Sequence, residues 1–270
     1  MSRILTSLHG RKLGLDNDGR LIAPVGVRVG EHGSQFSLTS PNRCALFDDF
    51  LGDVVADEWN YVETDADGAG AVVAGGLNGI FRLTTGNDDA NNVHLVDYVA
   101  LLSYLNWQVR DGKPLEFQAR VKISRITLAY LFVGFTDNAA IEVPINGTNG
   151  ADTIVTTATD ATGFLFDTGM TTAGLRLVGV ANNTDASIQN LGSSYSPVAD
   201  TYVDYRIELE YVSESVAKAS FFVNGLQVGT VMTGALTPGV GLTPVIGVSN
   251  LDGTSALTCD IDYIYVSQKR

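Results

Sequence analysis

Alternation of apolar and polar residues is the main structural signal in this chain from Cys44 onward. Residues 116–123 alternate polar and apolar side chains, and so do residues 202–211, which predicts two antiparallel strands with one wet and one dry face. Residues 128–135 are apolar almost throughout, which is typical of a strand buried on both faces. We therefore expect this third strand to lie in the middle of a sheet.

Turn residues extend the pattern. Asn224-Gly225 separates two apolar segments and predicts a tight type I′ hairpin, so that three consecutive strands follow one another from residue 202. The last strand is predicted over residues 257–266. If its alternation is unbroken, it turns five side chains to the core, namely Leu257, Cys259, Ile261, Tyr263 and Tyr265.

Helical periodicity is scarce, and the pattern as a whole predicts an all-β fold. Residues 93–104 tolerate a helix, but their β-branched and aromatic content fits a strand as well. Short strands at intervals of about 8–15 residues, separated by Gly, Asn and Asp, indicate a two-sheet antiparallel sandwich. Residues 136–163 are small and polar, and are predicted to leave the sandwich as a long excursion that contains a short hairpin.

The charge balance narrows the class of partner. The 270 residues include 17 basic and 30 acidic side chains, for a net charge of −13. Such a charge opposes binding to nucleic acid or to an anionic membrane, so neither is an expected partner. The sequence shows neither a long apolar span nor the apolar stretch of a signal peptide, and we expect a protein that is not secreted by that route.

The charge is unevenly distributed between residues 1–43 and the rest of the chain. The first segment has six basic and three acidic residues, a net charge of +3, which leaves −16 for residues 44–270. Its one aromatic residue, Phe36, cannot supply a core, so we expect an extended N-terminal arm that adds strands to a partner or lies over a neighbouring subunit. A disordered tail is the alternative. The candidate partner-binding residues are Arg3, Arg11, Lys12, Arg20, Arg28 and Arg43.

The sequence gives no support for catalysis. Glu208 and Glu210 have the spacing of paired carboxylates on one strand face, but the acidic triplet of retaining glucanases is missing and Arg206 lies beside them. A glucanase or polysaccharide lyase would need both acids to face a groove. We interpret them as a solvated strand face. A serine or cysteine nucleophile would need a histidine, and the histidines, residues 9, 32 and 94, occur in no recognisable catalytic motif. No catalytic residue is assigned, and no enzymatic activity is expected.

The cysteines and the clustered acids are also interpreted as structural residues. Cys44 and Cys259 are interpreted as free thiols, with Cys259 inward, although a disulfide is the alternative if the first and last strands are neighbours. No cofactor is expected. Asp48-Asp49, Asp260 and Asp262 could converge on calcium, but solvated turn and edge carboxylates are the preferred interpretation.

The aromatic residues Trp59, Tyr61, Trp107 and Tyr195 leave two interpretations open. They could form a sugar-stacking platform, as in carbohydrate-binding modules. Core packing is the preferred interpretation because large aromatic side chains are usually buried.

Several segments together carry a family resemblance that spans roughly residues 45–268. These segments are 47–53 (FDDFLGD), 115–121 (LEFQARV), 133–137 (VGFTD), 163–168 (GFLFDT), 202–210, 219–229 and 260–266. In this order they resemble the concanavalin A-like (laminin G-like) jelly-roll domains of structural proteins of tailed bacteriophages. The resemblance implies two regions, an N-terminal attachment arm over residues 1–43 and a jelly-roll sandwich over residues 44–270.

The function that the resemblance implies is that of a non-enzymatic virion protein. We expect a capsid decoration (cement) protein, made in the host cytoplasm, which forms a homotrimer on the outer surface of the capsid. Its arm would bind the major capsid protein. The alternative is a tail-fibre, spike or adhesin component whose jelly roll binds a surface glycan. A fold hosts many functions, so the resemblance is more specific for fold than for role.

Overall fold

The computed structural model describes residues 4–6, 12–15, 21–22, 43–51, 58–64, 67–73, 79–87, 98–104, 106–140, 142–251 and 255–269. Before residue 43 it describes the backbone of three short strands. Across the described ranges the one helical element is a single 3-10 turn, Ser193–Tyr195. These ranges contain no helix that is long and apolar enough to cross a bilayer.

The strands in chain order are β1 (Ile4–Thr6), β2 (Lys12–Leu15), β3 (Leu21–Ile22), β4 (Arg43–Asp48), β5 (Asn60–Glu63), β6 (Ala69–Val72), β7 (Phe81–Thr84), β8 (Tyr98–Leu102), β9 (Leu115–Ile123), β10 (Ala129–Thr136), β11 (Ile145–Gly147), β12 (Ile154–Thr156), β13 (Ala161–Asp167), β14 (Leu175–Ala181), β15 (Thr184–Asp185), β16 (Gln189–Asn190), β17 (Val203–Ser213), β18 (Val216–Val223), β19 (Leu226–Thr233), β20 (Thr243–Asn250) and β21 (Thr258–Lys269).

Two large antiparallel sheets form the body of the protein. In the described part of the chain, sheet A has the order β15-β14-β13-β10-β20-β8-β5, with β16 also paired to β14. Sheet B has the order β19-β18-β17-β9-β21-β7-β6, with β4 also paired to β21. The predicted two-sheet antiparallel sandwich is therefore confirmed.

The strands predicted from alternation lie where the sequence placed them. In β9 every second residue from Leu115 to Ile123 is buried, and β17 shows the same pattern over its first seven residues. All eight residues of β10 are buried, and β10 lies between β13 and β20 in the interior of sheet A. Residues 98–102 form a strand, which is the second of the two interpretations that the sequence allowed.

The Asn-Gly turn joins β18 to β19 as predicted. Asn224 and Gly225 have positive φ angles of 50° and 80°, the combination that a type I′ turn requires. The backbone amide of Asp204 donates to the Asn224 side chain at 3.0 Å, which fixes the turn against the start of β17. The three consecutive strands β17, β18 and β19 thus form one edge of sheet B.

The face predicted for the last strand is wrong beyond Ile261. The register of β21 against β9 shifts between Ile261 and Tyr263, so one extra residue is accommodated by a β-bulge. After the bulge, the residues of β21 that would have pointed inward point outward, and the reverse. Leu257, Cys259 and Ile261 point inward as expected, but Ile264 and Val266 are the buried residues after the bulge, while Tyr263 and Tyr265 are half-buried on the outside.

The principal core lies between the two sheets. Phe117 of sheet B contacts Phe135 of sheet A with ring centroids 5.4 Å apart, and Phe164 of sheet A contacts Tyr205 and Phe221 of sheet B at 4.8 and 5.3 Å. All five side chains are at most 1% exposed. Edge-to-face and tilted rings of this kind fill the space between sheets and add to the free energy gained by burial.

A second apolar cluster covers the outer face of sheet A. The predicted excursion contains the hairpin β11–β12, and its residues Val143 and Ile145 pack with Tyr98, Tyr130 and Phe132 of the sheet. The Tyr130 hydroxyl donates to the Ile145 carbonyl at 2.7 Å, which joins the excursion to β10. The central strands of sheet A are consequently buried on both faces, which explains the continuous apolar run in β10.

Buried polar groups fasten the same excursion. One carboxylate oxygen of Asp167, a fully buried residue at the end of β13, accepts the Gly147 amide at 2.8 Å. Arg176 of β14 is 1% exposed, and its guanidinium pairs with Asp152 at 2.7 Å. A buried charge is tolerated only when it is paired and hydrogen-bonded. Because Gly147 and Asp152 supply these partners, the contacts hold the excursion against sheet A.

The N-terminal strands form a small sheet of their own. Within the described ranges β1 pairs with β2, and β2 pairs with β3. The sandwich begins with β4, which pairs with the last strand, from Arg43 opposite Lys269 to Asp48 opposite Ile264. Arg43, which the sequence analysis assigned to the arm, is therefore the first residue of the first sandwich strand.

Candidate functional site

The predicted partner-binding residues fall into two groups. Arg3, Arg11, Arg20 and Arg28 lie outside the described residues, and Lys12 is placed as the first residue of β2 by its backbone alone. Arg43 belongs to the sandwich. Its guanidinium donates to Glu116 and to the Ser267 hydroxyl, both at 2.9 Å, so within the sandwich it joins β4 to β21 and β9.

The outer face of sheet B, called here the polar face, has paired charges. On β9 the outward side chains are Glu116, Gln118, Arg120 and Lys122. Arg120 forms an ion pair, at 2.9 Å, with Asp262, the residue in the bulge of β21. This face is thus a set of cross-strand ion pairs of the kind that stabilises a solvated sheet surface.

Tyrosine side chains join the polar face across three strands. The Gln118 amide donates to the Tyr263 hydroxyl at 2.5 Å, and that hydroxyl donates to Asp204 at 2.9 Å. The Tyr202 ring lies 4.9 Å from the Arg120 guanidinium and 5.0 Å from the Lys122 ammonium, within range of cation–π attraction. Because the bulge turns Tyr263 outward, the β21 irregularity contributes directly to this network.

Asp260 has the most enclosed carboxylate of the polar face, with a side chain that is 3% exposed. It accepts two hydrogen bonds from the Arg82 guanidinium, at 2.5 and 2.9 Å, and pairs with Lys122 at 3.0 Å. Burial alone would raise the pKa of the Asp260 carboxyl, but the hydrogen bonds from Arg82 and Lys122 outweigh it and lower that pKa below its usual value. Asp260 is therefore ionised and binds β7, β21 and β9 together.

Glu208 and Glu210 lie on the same solvated face, as the sequence analysis expected. Glu208 pairs with Arg206 one step along the strand, and Glu210 pairs with Lys218 of β18 at 2.8 Å. Their side chains are 37% and 52% exposed. A general acid for glycoside hydrolysis needs a raised pKa, usually through burial, and this environment does not provide burial.

The acids that could have converged on calcium have other partners. Both oxygens of Asp260 are bound by Arg82 and Lys122, and Asp262 is bound by Arg120. In the described ranges no group of three or more His, Cys, Asp or Glu side chains is placed to hold a metal ion. The histidines at 9, 32 and 94 are outside those ranges.

The two cysteines are free and far apart in the sheet. β4 and β21 are neighbours, but Cys44 lies opposite Gln268, nine residues along β21 from Cys259. Cys44 is exposed, whereas Cys259 is buried as predicted, and burial raises the pKa of its thiol. The interpretation as free thiols is confirmed.

The aromatic residues do not form a shared platform. Trp59 and Trp107 are each 6% exposed and belong to the principal core, while Tyr195 is 38% exposed in the 3-10 turn. Tyr61 of β5 is half-buried and donates a hydrogen bond to Glu63 at 2.5 Å. Core packing is therefore the correct interpretation for both tryptophans.

Among the described residues, a concave region lies at one end of the sandwich, between β4 and the segment that follows β8. Two adjoining depressions of about 260 and 290 Å³ share Cys44, Asn106 and Gln268. We call them together the open-end groove. One half is mainly apolar, with Leu46, Tyr104 and Trp107 among its lining residues and Glu58 as its acidic one, whereas the other half is polar and basic.

The walls of the open-end groove are held by the sheets. Trp107 and Leu242 exchange two backbone hydrogen bonds of 3.2 and 2.7 Å, and the Gln268 amide donates to the Gln108 carbonyl. The Lys113 amide donates to the Arg110 carbonyl at 2.9 Å, which closes a tight turn. A site on such a frame is largely preformed.

The polar half of the groove collects basic side chains that have no acidic partner. Arg110, Lys113 and Lys269 line it, and none of the described residues forms an ion pair with any of them. Six other basic residues of residues 44–270 do pair with acids, namely Arg82, Arg120, Lys122, Arg176, Arg206 and Lys218. The sequence analysis missed this cluster because Lys269 is about 156 positions away from Lys113, and the one local signal is the turn at residues 110–113.

The architecture places the protein among the lectin-like, concanavalin A-like jelly-roll sandwiches. The carbohydrate recognition domain of Emp47p is similar, with a TM-score of 0.52 at 10% identity over 84% of this chain and 97% of that domain. A GH16 protein of the mixed linkage glucan PUL of Bacteroides ovatus, solved with a G4G4G3G product, gives 0.50 at 11% identity over 82% and 99%.

A protein of unknown function from Shewanella oneidensis MR-1 gives a TM-score of 0.51 at 12% identity over 88% of this chain and 90% of that one. No family model and no curated protein sequence matches the chain. At these identities the likeness establishes the fold and leaves the role to be argued from the residues.

Proposed function

We propose that the protein is a non-enzymatic structural component of a bacteriophage particle, specifically a capsid decoration protein. Residues 1–43 bind the major capsid protein, and the sandwich lies on the outer surface of the capsid. The proposal builds on the family resemblance of residues 45–268 and on the contrast between an arm of net charge +3 and a body of −16.

The observation that carries the proposal is the separation of the N-terminal region from the sandwich. Among the described strands, β1–β3 pair with one another, and both large sheets are assembled from residues 43–269. The sandwich therefore does not require residues 1–42 for any of its described strands. In this proposal, residues 1–42 bind a partner surface by strand addition and by basic contacts.

The test compares capsid binding of the full chain with that of charge variants. The probe is the empty shell assembled from the major capsid protein of the same virus, and binding is measured by co-sedimentation. The variant is the full-length protein with Arg3, Arg11, Arg20 and Arg28 replaced by Glu. It should bind shells more weakly by about tenfold or more, because the substitutions replace positive charges of the arm, which are proposed to contact the shell, by negative ones. The matched control is Lys218→Glu, which reverses one exposed charge on the polar face.

Removal of residues 1–42 gives a second measurement with a separate control for folding. The shortened chain should retain the circular dichroism spectrum of a β protein and should no longer co-sediment with shells. Retention of Arg43 is important because this residue binds Glu116 and Ser267 within the sandwich. Unchanged binding of a folded chain without residues 1–42 would refute the attachment role.

The oligomeric state is part of the proposal. A decoration protein that occupies three-fold lattice positions is expected to be a homotrimer, since its symmetry then matches its site. Light scattering coupled to size exclusion should give three times the 28.7 kDa chain mass. A monomer at micromolar concentration would count against the trimer.

A second candidate function is a tail-fibre or adhesin component that binds a surface glycan. The open-end groove favours it, because a mixed aromatic and polar depression is a common form of ligand site. An enzymatic role is tested separately: the chain should not hydrolyse a glucan, and if it did, an unchanged rate in the double variant Glu208→Gln, Glu210→Gln would eliminate these two acids as its catalytic pair. A loss of activity in that variant would contradict the non-enzymatic proposal.

A further inference from the structure

The open-end groove combines three properties that point to one class of ligand. Its basic side chains are unpaired within the described residues, although acids outnumber bases by 16 in residues 44–270. An uncompensated basic site on such an acidic body attracts an anionic group. The Arg110 guanidinium is exposed and rests against the Gln108 side chain, where it can donate to a carboxylate or sulfate.

The second property is the aromatic half. Tyr104 is 56% exposed in the lining of this half, and Trp107 contributes the small part of its surface that reaches the groove. Exposed aromatic rings of this kind offer an apolar face with a polar edge, and the apolar C–H faces of a sugar ring can pack against them. A small inorganic anion would leave this half of the groove unused.

The third property is the set of side-chain amides. Asn106 and Gln268 line both depressions, and Gln108 lines the polar one. A carboxamide offers two donors and one acceptor, which suits the hydroxyl groups of a sugar. Each depression is slightly smaller than the range of about 300–1,000 Å³ typical of small-molecule sites, so a ligand of more than one ring would span both.

We propose that the open-end groove binds an acidic saccharide, with a sugar ring against the exposed Tyr104 side chain and the anionic group held by Arg110, Lys113 and Lys269. The N-terminal arm of a second copy is a poor occupant because the arm, with a net charge of +3, would meet a basic surface. The proposal gives the glycan-binding candidate a location and a ligand class, and it does not depend on capsid attachment.

The experiment presents the full chain with immobilised oligosaccharides of three acidic types, which carry uronate, sialate or sulfate, beside their neutral parents. At least one acidic oligosaccharide should bind with a Kd below about 1 mM, more tightly than its neutral parent, and the affinity should fall as salt is raised. The double variant Arg110→Ala, Lys113→Ala and the variant Tyr104→Ala should each weaken binding by about tenfold. The control Lys218→Ala should not change it.

Cys44 supplies a test that does not depend on substitution of the binding residues. It is exposed and lines both depressions, so alkylation of its thiol with a bulky maleimide should block binding. A Cys44→Ser variant treated in the same way should still bind. Unchanged binding after complete alkylation of Cys44 would overturn the location.

Two further results would refute the proposal. One is the absence of binding to every acidic saccharide on the panel. The other is equal binding of poly-glutamate and an acidic saccharide with no effect of Tyr104→Ala, which would show that the groove recognises acidic peptides by charge alone. A chain without residues 1–42 that no longer binds shells but still binds the saccharide would separate the two functions.

Discussion

Replacement of Asp260 by Asn should destabilise the sandwich more than any other single loss of charge on the polar face. The carboxylate is 3% exposed and lies between two cations on neighbouring strands, with Arg82 at 2.5 and 2.9 Å and Lys122 at 3.0 Å. Asn has nearly the same shape but no charge, and its nitrogen cannot accept a hydrogen bond. The variant therefore leaves two cations facing each other without an anion.

The magnitude follows from burial. Loss of one partner from a fully buried ion pair costs about 3–5 kcal/mol. Here the Arg82 and Lys122 side chains are 42% and 24% exposed, so water screens part of the loss. We expect a reduction in the free energy of unfolding of about 1.5–3 kcal/mol, which is between the buried and the exposed cases.

Glu210→Gln provides the matched control on the same face. Its carboxylate is 52% exposed and pairs with Lys218 at 2.8 Å, so its replacement by the isosteric amide should cost about 0.5 kcal/mol or less. Urea unfolding of both variants at neutral pH, followed by circular dichroism, measures the difference through the transition midpoint at constant m. A difference between the two variants smaller than about 0.5 kcal/mol would refute the argument from burial.

The pH dependence gives an independent check on the same carboxyl. Because hydrogen bonds from Arg82 and Lys122 lower its pKa in the folded state below the usual 3.8, its contribution is fully present above pH 3.8 and is lost only as the pH falls further, through the folded value. The stability difference between the native chain and Asp260→Asn should thus stay constant down to about pH 5. A difference that disappears while the pH is still above 5 would show that the carboxyl is not stabilised in its ionised form.

Three further outcomes are expected. Gly134→Ala should destabilise the chain by about 1–3 kcal/mol in urea unfolding, because the added Cβ would lie 2.2 Å from a backbone carbonyl of β13. A thiol reagent should modify Cys44 in the native state and Cys259 only after unfolding; a disulfide or two rapid reactions would contradict the free, unequal thiols. Asp152→Asn should weaken the anchor of the buried Arg176 guanidinium, so that limited proteolysis cuts the excursion over sheet A before the sandwich unfolds; unchanged cleavage would contradict that role.

The sequence predicted those parts of the fold that depend on local patterns. The alternation in β9 and β17, the apolar run of β10 and the Asn224-Gly225 turn each reflect a period or a turn requirement that a few neighbouring residues determine. The bulge in β21 could not be predicted in the same way. It is a property of pairing with β9, and because residues 263–266 are all apolar or aromatic, their sequence does not show which of them point inward.

The candidate site was much less predictable because it is assembled from distant segments. Cys44, Asn106 and Gln268 become neighbours only through the pairing of β4 with β21 and the bridge between Trp107 and Leu242. Charge counting by segment found the difference between the arm and the body. Charge counting could not identify Arg110, Lys113 and Lys269 as bases without an ion pair among the described residues, because ion pairing depends on how the strands are placed in the folded sheets.

The distribution of contacts among the faces limits where this sandwich can bind a partner. The outer face of sheet A is covered by the excursion, and Asp167 and Arg176 anchor that cover through buried polar contacts. The polar face of sheet B has its main charges paired, so a ligand there would have to replace existing ion pairs, which costs free energy of desolvation without a net gain in partners. The open-end groove differs from both faces because Arg110, Lys113 and Lys269 form no ion pair within the described residues that a ligand would have to replace. A partner that supplies an anion there would not have to replace an existing ion pair, and for this reason we propose the groove as the binding surface of the sandwich.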